Sequence, residues 1–547
     1  MQPDNLLDYF LQWEEQIADQ VFLRQAHNGS WRTWTWAQAG RESRSLARAM
    51  QDMGLQPGDK VAILSKNTSH WFMADMAIMM GGFISVPIYP TLSAEHIREI
   101  LEHSESKAII IGKLDDYAKQ EEGIPGHCKR IGNRLFEIDA ENLWEDLVEN
   151  FEPLEDTYDW QGEEICTIIY TSGTTGKSKG VMHSISAFED TLRMIIREMG
   201  LPMHPRLFSY LPLSHIAERV AIENYGIRAG ATISFAESLE KFNTNLVDTQ
   251  PDLFVAVPRI WSKYREGVLA KMPQKRLDLL LKIPVIAGIV RKSIRKKLGL
   301  RDAKLFFSGA APISAELQLW FYNLGIDILQ VYGMTEDCVY AHMNRPGDNR
   351  FGTVGKPLPG LKVKFGPEGE IRLKSPGIFK GYFKSPDLTT ASFDEEGFLK
   401  SGDIGEYDQD GFLRITGRVK DQFKTDKGKY IAPAPIELKI QNDPLIEQAC
   451  VVGTGIPQPI SLVVLSENVN RENKSHIKEQ LTSLVNKLNQ DLESYERLEK
   501  IVIVQEGWTV ENELLTPTLK IKRNRIEALY GSSFEAWFAG DGTVIWE

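Results

Sequence analysis

The sequence predicts an α/β protein: a large N-terminal domain of layered α/β subdomains with a small barrel-like β subdomain, followed by a small α+β C-terminal domain. Three observations predict it. The chain has 547 residues, more than one hydrophobic core supports. Short β-branched runs alternate with helical patterns as far as Tyr332, the mark of crossover units and parallel sheets. Beyond Tyr332 the pattern changes to hairpins and then to a compact α+β segment.

In order, the expected strands of the first part are Val61–Leu64, Ile84–Ile88, Ala108–Ile111, Ile165–Tyr170, Leu253–Val257 and Leu305–Phe307. The apolar stretch Trp71–Pro90 is broken by Asp75, Gly81, Gly82 and Pro87, so it reads as a buried helix and a strand, not a membrane span. Turn residues at Gly366–Gly369 and Asp408–Gly411 predict two hairpins. The Lys-, Gly- and Pro-rich segment Lys424–Pro435 follows a domain boundary near Arg418–Lys420, giving domains 1–418 and 419–547. The second should hold a helix near Ala434–Asn442, strands Ala449–Gly453 and Leu462–Leu465, a helix from Arg471 to Asn489, and strand Ile501–Gln505.

A net charge of −12 argues against general nucleic-acid affinity, so anionic substrates must be captured by local positive charge. The four cysteines are scattered without a C-x-x-C pair, which suits a reducing cytoplasm and gives no zinc or disulfide framework. The N-terminus lacks the basic start and apolar core of a secretion signal.

The segment Tyr170–Gly180, Y-T-S-G-T-T-G-K-S-K-G, follows an apolar run and gathers hydroxyls, glycines and lysines. Glycines permit close backbone approach, and free N–H groups, hydroxyls and ammonium groups can surround phosphate oxygens. Only two residues separate Gly173 from Gly176, so this is not a Walker loop.

With this loop, the ordered segments Leu211–Arg219 (LPLSHIAER), Ser308–Pro312 (SGAAP), Tyr332–Glu336 (YGMTE), Ser401–Asp403 (SGD), Gly417–Asp421 (GRVKD) and Thr516–Arg523 (TPTLKIKR) resemble the adenylate-forming superfamily. The first of these and the segment G-K-Y-I-A-P resemble its long-chain fatty acyl-CoA synthetase branch. The resemblance implies an enzyme that joins a fatty acid to AMP from ATP, with Mg2+, and then passes the acyl group to coenzyme A. It also implies a mobile C-terminal lid domain. Alternatives are transfer to a carrier protein, oxidation as in luciferases, or a catalytically silent lipid-binding relative.

The resemblance carries roles to particular positions. Thr171, Ser172, Gly173, Thr174, Thr175, Gly176 and Lys177 would cradle phosphates, and Glu336 with Thr171 would hold magnesium, which accepts few carboxylates beside phosphate oxygens. Thr335 would bond the α-phosphate. Gly309, Ala310, Ala311, Gln330, Tyr332 and Gly333 would line the adenine pocket, although SGAAP also reads as a strand-to-helix turn with Pro312 starting the helix. Asp403 is a ribose clamp or a turn aspartate; Arg418 reaches ribose or phosphate, or is a domain-edge charge.

Lys520 matches the catalytic lysine, with Lys522 as a rival, and Leu519 stands where the family commonly has glycine. Lys420 matches the hinge. Gly428 is either a tunnel glycine for pantetheine or a turn glycine. His215 would gate the carboxylate site rather than act as a base. Residues 271–304 hold eleven Lys/Arg against Asp278 and Asp302, interleaved with apolar residues; this is either a solvated helix pair or a peripheral contact with anionic lipid.

Overall fold

The computed structural model describes residues 4–172, 178–467, 469–516 and 518–547. The large lobe is organised by an eight-stranded sheet. Its order is Gly381–Tyr382, Ser178–Ser184, Ile165–Ser172, Ile84–Ile88, Lys60–Leu64, Ser106–Ile111, Lys129–Gly132 and Asn142–Leu143. From Ile165–Ser172 to Asn142–Leu143 the strands pair in parallel, as the β–α alternation predicts. A second sheet begins with the parallel strands Leu253–Ala256, Leu305–Ser308 and Ile328–Tyr332.

Trp71–Pro90 divides as expected into helix Ser69–Met80 and strand Ile84–Ile88. All twelve helical residues are buried, which explains an apolar run without amphipathic periodicity. Thr68 caps its start by accepting from the Trp71 N–H at 3.1 Å.

Buried Asp75 in this helix pairs with Arg219, which also reaches Glu223 Oε2 at 3.2 Å and donates to Thr167 Oγ1 at 2.7 Å. One guanidinium thus ties the helix to strand Ile165–Ser172 and to the π-helical turn Arg219–Asn224. Burying the three groups together is tolerable because each has a partner, and burial, then Asp75, pushes the Glu223 carboxyl up toward its neutral form.

Both predicted hairpins form. Lys362–Phe365 pairs antiparallel with Glu370–Lys374, and Leu399–Tyr407 with Leu413–Arg418, in one four-stranded sheet. The helix after SGAAP begins later than expected, at Ala315, with Ser314 rather than Pro312 at its start. The Ser314 hydroxyl accepts from the Leu317 N–H at 3.3 Å, satisfying an otherwise unpaired donor, whereas Pro312 offers no capping group.

The small lobe builds a sheet from Ile446–Val452, Ile460–Leu465, Lys500–Ile503 and Val544–Trp546, flanked by helices Pro433–Ile440 and Lys474–Leu488. Its two hydrophobic clusters contain no residue before Phe423. The four cysteines are free and buried.

Candidate active site

Strand ends and the turns after them deliver the site. Strands Ile165–Ser172 and Ser178–Ser184 flank the segment expected to cradle phosphates and pair antiparallel, Thr171 with Lys179 and Ser172 with Ser178. Gly173, Thr174, Thr175, Gly176 and Lys177 lie outside the described residues.

Strand Ile328–Tyr332 carries Gln330 and Tyr332, and its neighbour Leu305–Ser308 leads into Gly309, Ala310 and Ala311. Ala310 has φ 64°, a left-handed conformation that costs about 1 kcal/mol or more for a residue with a Cβ. A Cβ on Gly333 would lie 2.5 Å from the backbone of Val339, so only glycine fits there. The turn Thr335–Asp337 follows, with Thr335 and Glu336 both buried. Asp337 accepts from the Met334 and Tyr340 N–H groups and fixes the turn.

Asp403 and Arg418 face each other across the second hairpin, and Arg418 Nε donates to Asp403 Oδ1 at 2.6 Å. The Tyr332 hydroxyl donates to Asp403 Oδ2 at 2.8 Å. Asp403 is therefore a held acceptor joining strand Ile328–Tyr332 to the lobe boundary. Its field is the main cause that raises the Arg418 pKa, so the guanidinium stays charged.

Lys520 comes from the small lobe, at the end of a tight turn in which Leu515 bridges Ile521. The Thr516 N–H donates to the Lys520 carbonyl at 2.8 Å, and the Lys520 N–H to Thr516 Oγ1 at 3.0 Å. Leu519 has φ 61°, which accounts for the glycine preference at this position. The Lys520 side chain remains open to water, yet protein crowds it on most sides. That crowding, then Arg418, lowers its pKa, while Asp403 and Glu336 oppose the shift. The ammonium thus sits in the combined field of groups that the sequence predicts on the other lobe.

His215 is also at this point: Lys520 is its charged neighbour. The His215 Nδ1 accepts from the Ala217 N–H at 3.2 Å, and burial followed by Lys520 pushes its pKa down to about 3, leaving the ring neutral. Glu218, three residues on, is buried and accepts from Ser209 Oγ at 2.9 Å and the Tyr210 N–H at 3.0 Å. Beneath these groups lies an apolar cavity that sequence reasoning did not anticipate. Gly309 and Ala310 line it together with Leu192, Ile195, Val220 and Tyr225, and it offers an acyl group no charged partner.

One predicted residue stands apart from this cluster. Gly428 has φ 77° in an exposed turn, where an added Cβ would meet only Lys424 Cε at 3.7 Å. Lys420 lies in the connection just after strand Leu413–Arg418. Among the described residues no group of three or more His, Cys, Asp or Glu forms a metal cage. Glu336 nevertheless fits a magnesium that binds chiefly to phosphates: Tyr382 occupies its Oε1, and no hydrogen bond from a described residue engages Oε2.

Two family models match the chain: one described as AMP-binding enzyme over residues 10–383, and one as AMP-binding enzyme C-terminal domain over residues 420–541. The chain is 29% identical to a long-chain-fatty-acid–CoA ligase, FadD15, of Mycobacterium bovis, over 97% of both chains. It is 27% identical to the long-chain-fatty-acid–CoA ligase ACSBG2 of Xenopus laevis, over 99% of this chain and 84% of that one. The fold matches the adenylation domain of a carboxylate reductase from Mycobacterium chelonae, with a TM-score of 0.83, 21% identity, and coverage of 99% of this chain and 92% of the other. It also matches the anthranilate CoA ligase AuaEII in complex with anthranoyl-AMP, with a TM-score of 0.80, 21% identity, and coverage of 97% and 98%.

Proposed function

Because the chain belongs to the AMP-binding enzyme family, we propose that it is an AMP-forming acid–thiol ligase that joins a medium- to long-chain fatty acid to coenzyme A. The fatty-acid ligase relatives support the substrate class. The observation that carries the proposal is that Lys520 of the small lobe lies within electrostatic range of Glu336, Asp403, Arg418 and His215, and that Ala217, bonded to His215, lines an apolar cavity.

In the first half-reaction a carboxylate oxygen attacks the α-phosphorus of ATP and pyrophosphate leaves. Lys520 stabilises the negative charge shared by the attacking and phosphoryl oxygens. Thr171 to Lys177 grip the β- and γ-phosphates, Thr335 bonds the α-phosphate, Gln330 and Tyr332 border the base, and Asp403 with Arg418 holds the ribose. Glu336 and Thr171 would hold Mg2+, which when bound would neutralise phosphate charge. His215, being neutral, borders the carboxylate without competing for a proton. In the second half-reaction the coenzyme A thiol attacks the acyl carbon and AMP leaves. The lid domain, 419–547, turns about Lys420 for this step and brings Gly428 to the pantetheine path.

The test is a panel of carboxylic acids with ATP and Mg2+, following pyrophosphate release with and without coenzyme A. Thioester formation that requires both a fatty acid and coenzyme A supports the proposal. Accumulation of acyl-AMP in the presence of coenzyme A transfers the acceptor role to a carrier protein.

The same proposal includes a peripheral position on anionic lipid at the cytoplasmic face of a membrane. Helices Gln274–Leu281 and Pro284–Lys297 expose Leu279 (63%), Val285 (76%) and Ile289 (65%) among lysines and arginines. Among the described residues no helix is long and apolar enough to cross a membrane. Sedimentation with anionic vesicles at low and high salt tests this; absence of binding in both removes the lipid contact.

A further inference from the structure

Glu336 is gripped from a segment that lies far along the chain. The Tyr382 hydroxyl donates to Glu336 Oε1 at 2.8 Å, and the Phe379 N–H donates to the Glu336 carbonyl at 2.8 Å. Tyr382 is itself firmly placed. It is 7% exposed, its N–H donates to Thr389 Oγ1 at 2.9 Å, and it pairs with Val181 in the strand that returns from the phosphate-type loop. Its ring packs edge-on against Phe379, and the Lys179 ammonium lies over its face at 5.3 Å.

We propose that Tyr382 is a positioning residue for nucleotide activation: by holding Oε1, it turns Oε2 of Glu336 toward the divalent cation that accompanies the nucleotide phosphates. This rests on the assignment of Glu336 to that cation given above. The terminal torsion of a glutamate is broad, so an unheld carboxylate would sample many orientations. A single donor on one oxygen stops that rotation. A phenol supplies the donor without charge; an ammonium or guanidinium in its place would cancel the field that attracts the cation. The ring meanwhile keeps Lys179 on its face, in the strand that borders the loop.

Tyr382→Phe keeps the ring, the packing and the cation–π contact and removes only the hydroxyl. The full-length enzyme is titrated with Mn2+ in the presence of a non-hydrolysable ATP analogue, with free Mn2+ followed by electron paramagnetic resonance. Mn2+ affinity is expected to fall about tenfold, the usual weight of a partner that orients a metal ligand. Pyrophosphate exchange should lose rate at low Mg2+ and recover at high Mg2+, while the KM for coenzyme A with synthetic acyl-AMP stays unchanged. Glu336→Gln runs in parallel and should bind Mn2+ more weakly still. Unchanged affinity in Tyr382→Phe beside a loss in Glu336→Gln overturns the positioning role alone. Unchanged affinity in both overturns the metal assignment of Glu336, and this inference with it.

Discussion

Arg259, at the start of a large-lobe helix, forms an ion pair with Glu447 on the first strand of the small-lobe sheet. Nearby, Ser314 Oγ donates to Asn442 Oδ1 at 2.6 Å, and Asn442 Nδ2 reaches Glu316 at 3.2 Å. These contacts hold the lobes in the arrangement in which Lys520 faces Glu336, Asp403 and Arg418, the proposed nucleotide site. Arg259→Ala should therefore slow adenylate formation about three- to fivefold, as expected for a partly exposed pair worth about 1 kcal/mol. Thioester formation from synthetic acyl-AMP should be spared, and the exchange Arg259→Glu with Glu447→Arg should restore the first step. Equal slowing of both steps would show that the pair does not favour this arrangement.

Lys520→Ala should reduce ATP–pyrophosphate exchange by about 100-fold or more, the usual loss when a transition-state charge partner is removed. Conversion of supplied acyl-AMP to thioester should persist. Lys522→Ala, with its side chain on the next turn residue but one, should leave exchange within about threefold of wild type under the same assay.

Leu519 carries a left-handed backbone and is 47% exposed, so it pays strain without much burial in return. Leu519→Gly should stabilise the small lobe by roughly 0.5–1 kcal/mol, and Leu519→Val should destabilise it, because a β-branched residue resists this conformation. Denaturant unfolding of the two variants gives the sign directly.

Glu218 is buried, and burial pushes its pKa up to about 8 against donors from Ser209, Tyr210 and Leu211. Between an unfolded value near 4.5 and a folded value near 8, the folded chain binds the extra proton. Its contribution is thus complete below about pH 4.5 and is lost as pH rises to about 8, on the order of a few kcal/mol. Asp337, raised to about 7 by burial, acts in the same direction. The buried histidines His70 and His183, lowered to about 3 and about 4 by burial, act oppositely at lower pH. Subtracting wild type from Glu218→Gln isolates the glutamate: melting temperature across pH 5 to 8.5 should decline less in the variant. Parallel curves would refute the shift.

The parallel sheet was legible because its strands are β-branched runs set between helical patterns; Lys60–Leu64, Ile84–Ile88 and Ser106–Ile111 fall within two residues of expectation. Strand Val544–Trp546 was not legible. Three residues carry no period, and its identity comes from parallel pairing of Val544 with Ile501. The same division holds at the site. Glu336, Asp403 and Lys520 sit in short local motifs that become readable through their ordered recurrence along the chain. Tyr382 lies 46 residues from Glu336, and only tertiary packing joins them. The helix start at Ser314 was missed because Pro312 is an equally good local start signal, and the capping hydroxyl decides.

The buried cluster around Arg219 constrains how this lineage of sequences can drift. Loss of Arg219 alone would leave buried Asp75 with only the Ser85 hydroxyl and Glu223 without its cation, at a cost of about 3–5 kcal/mol. An apolar trio of matching volume, introduced as a set, is the replacement that leaves no buried charge without its partner.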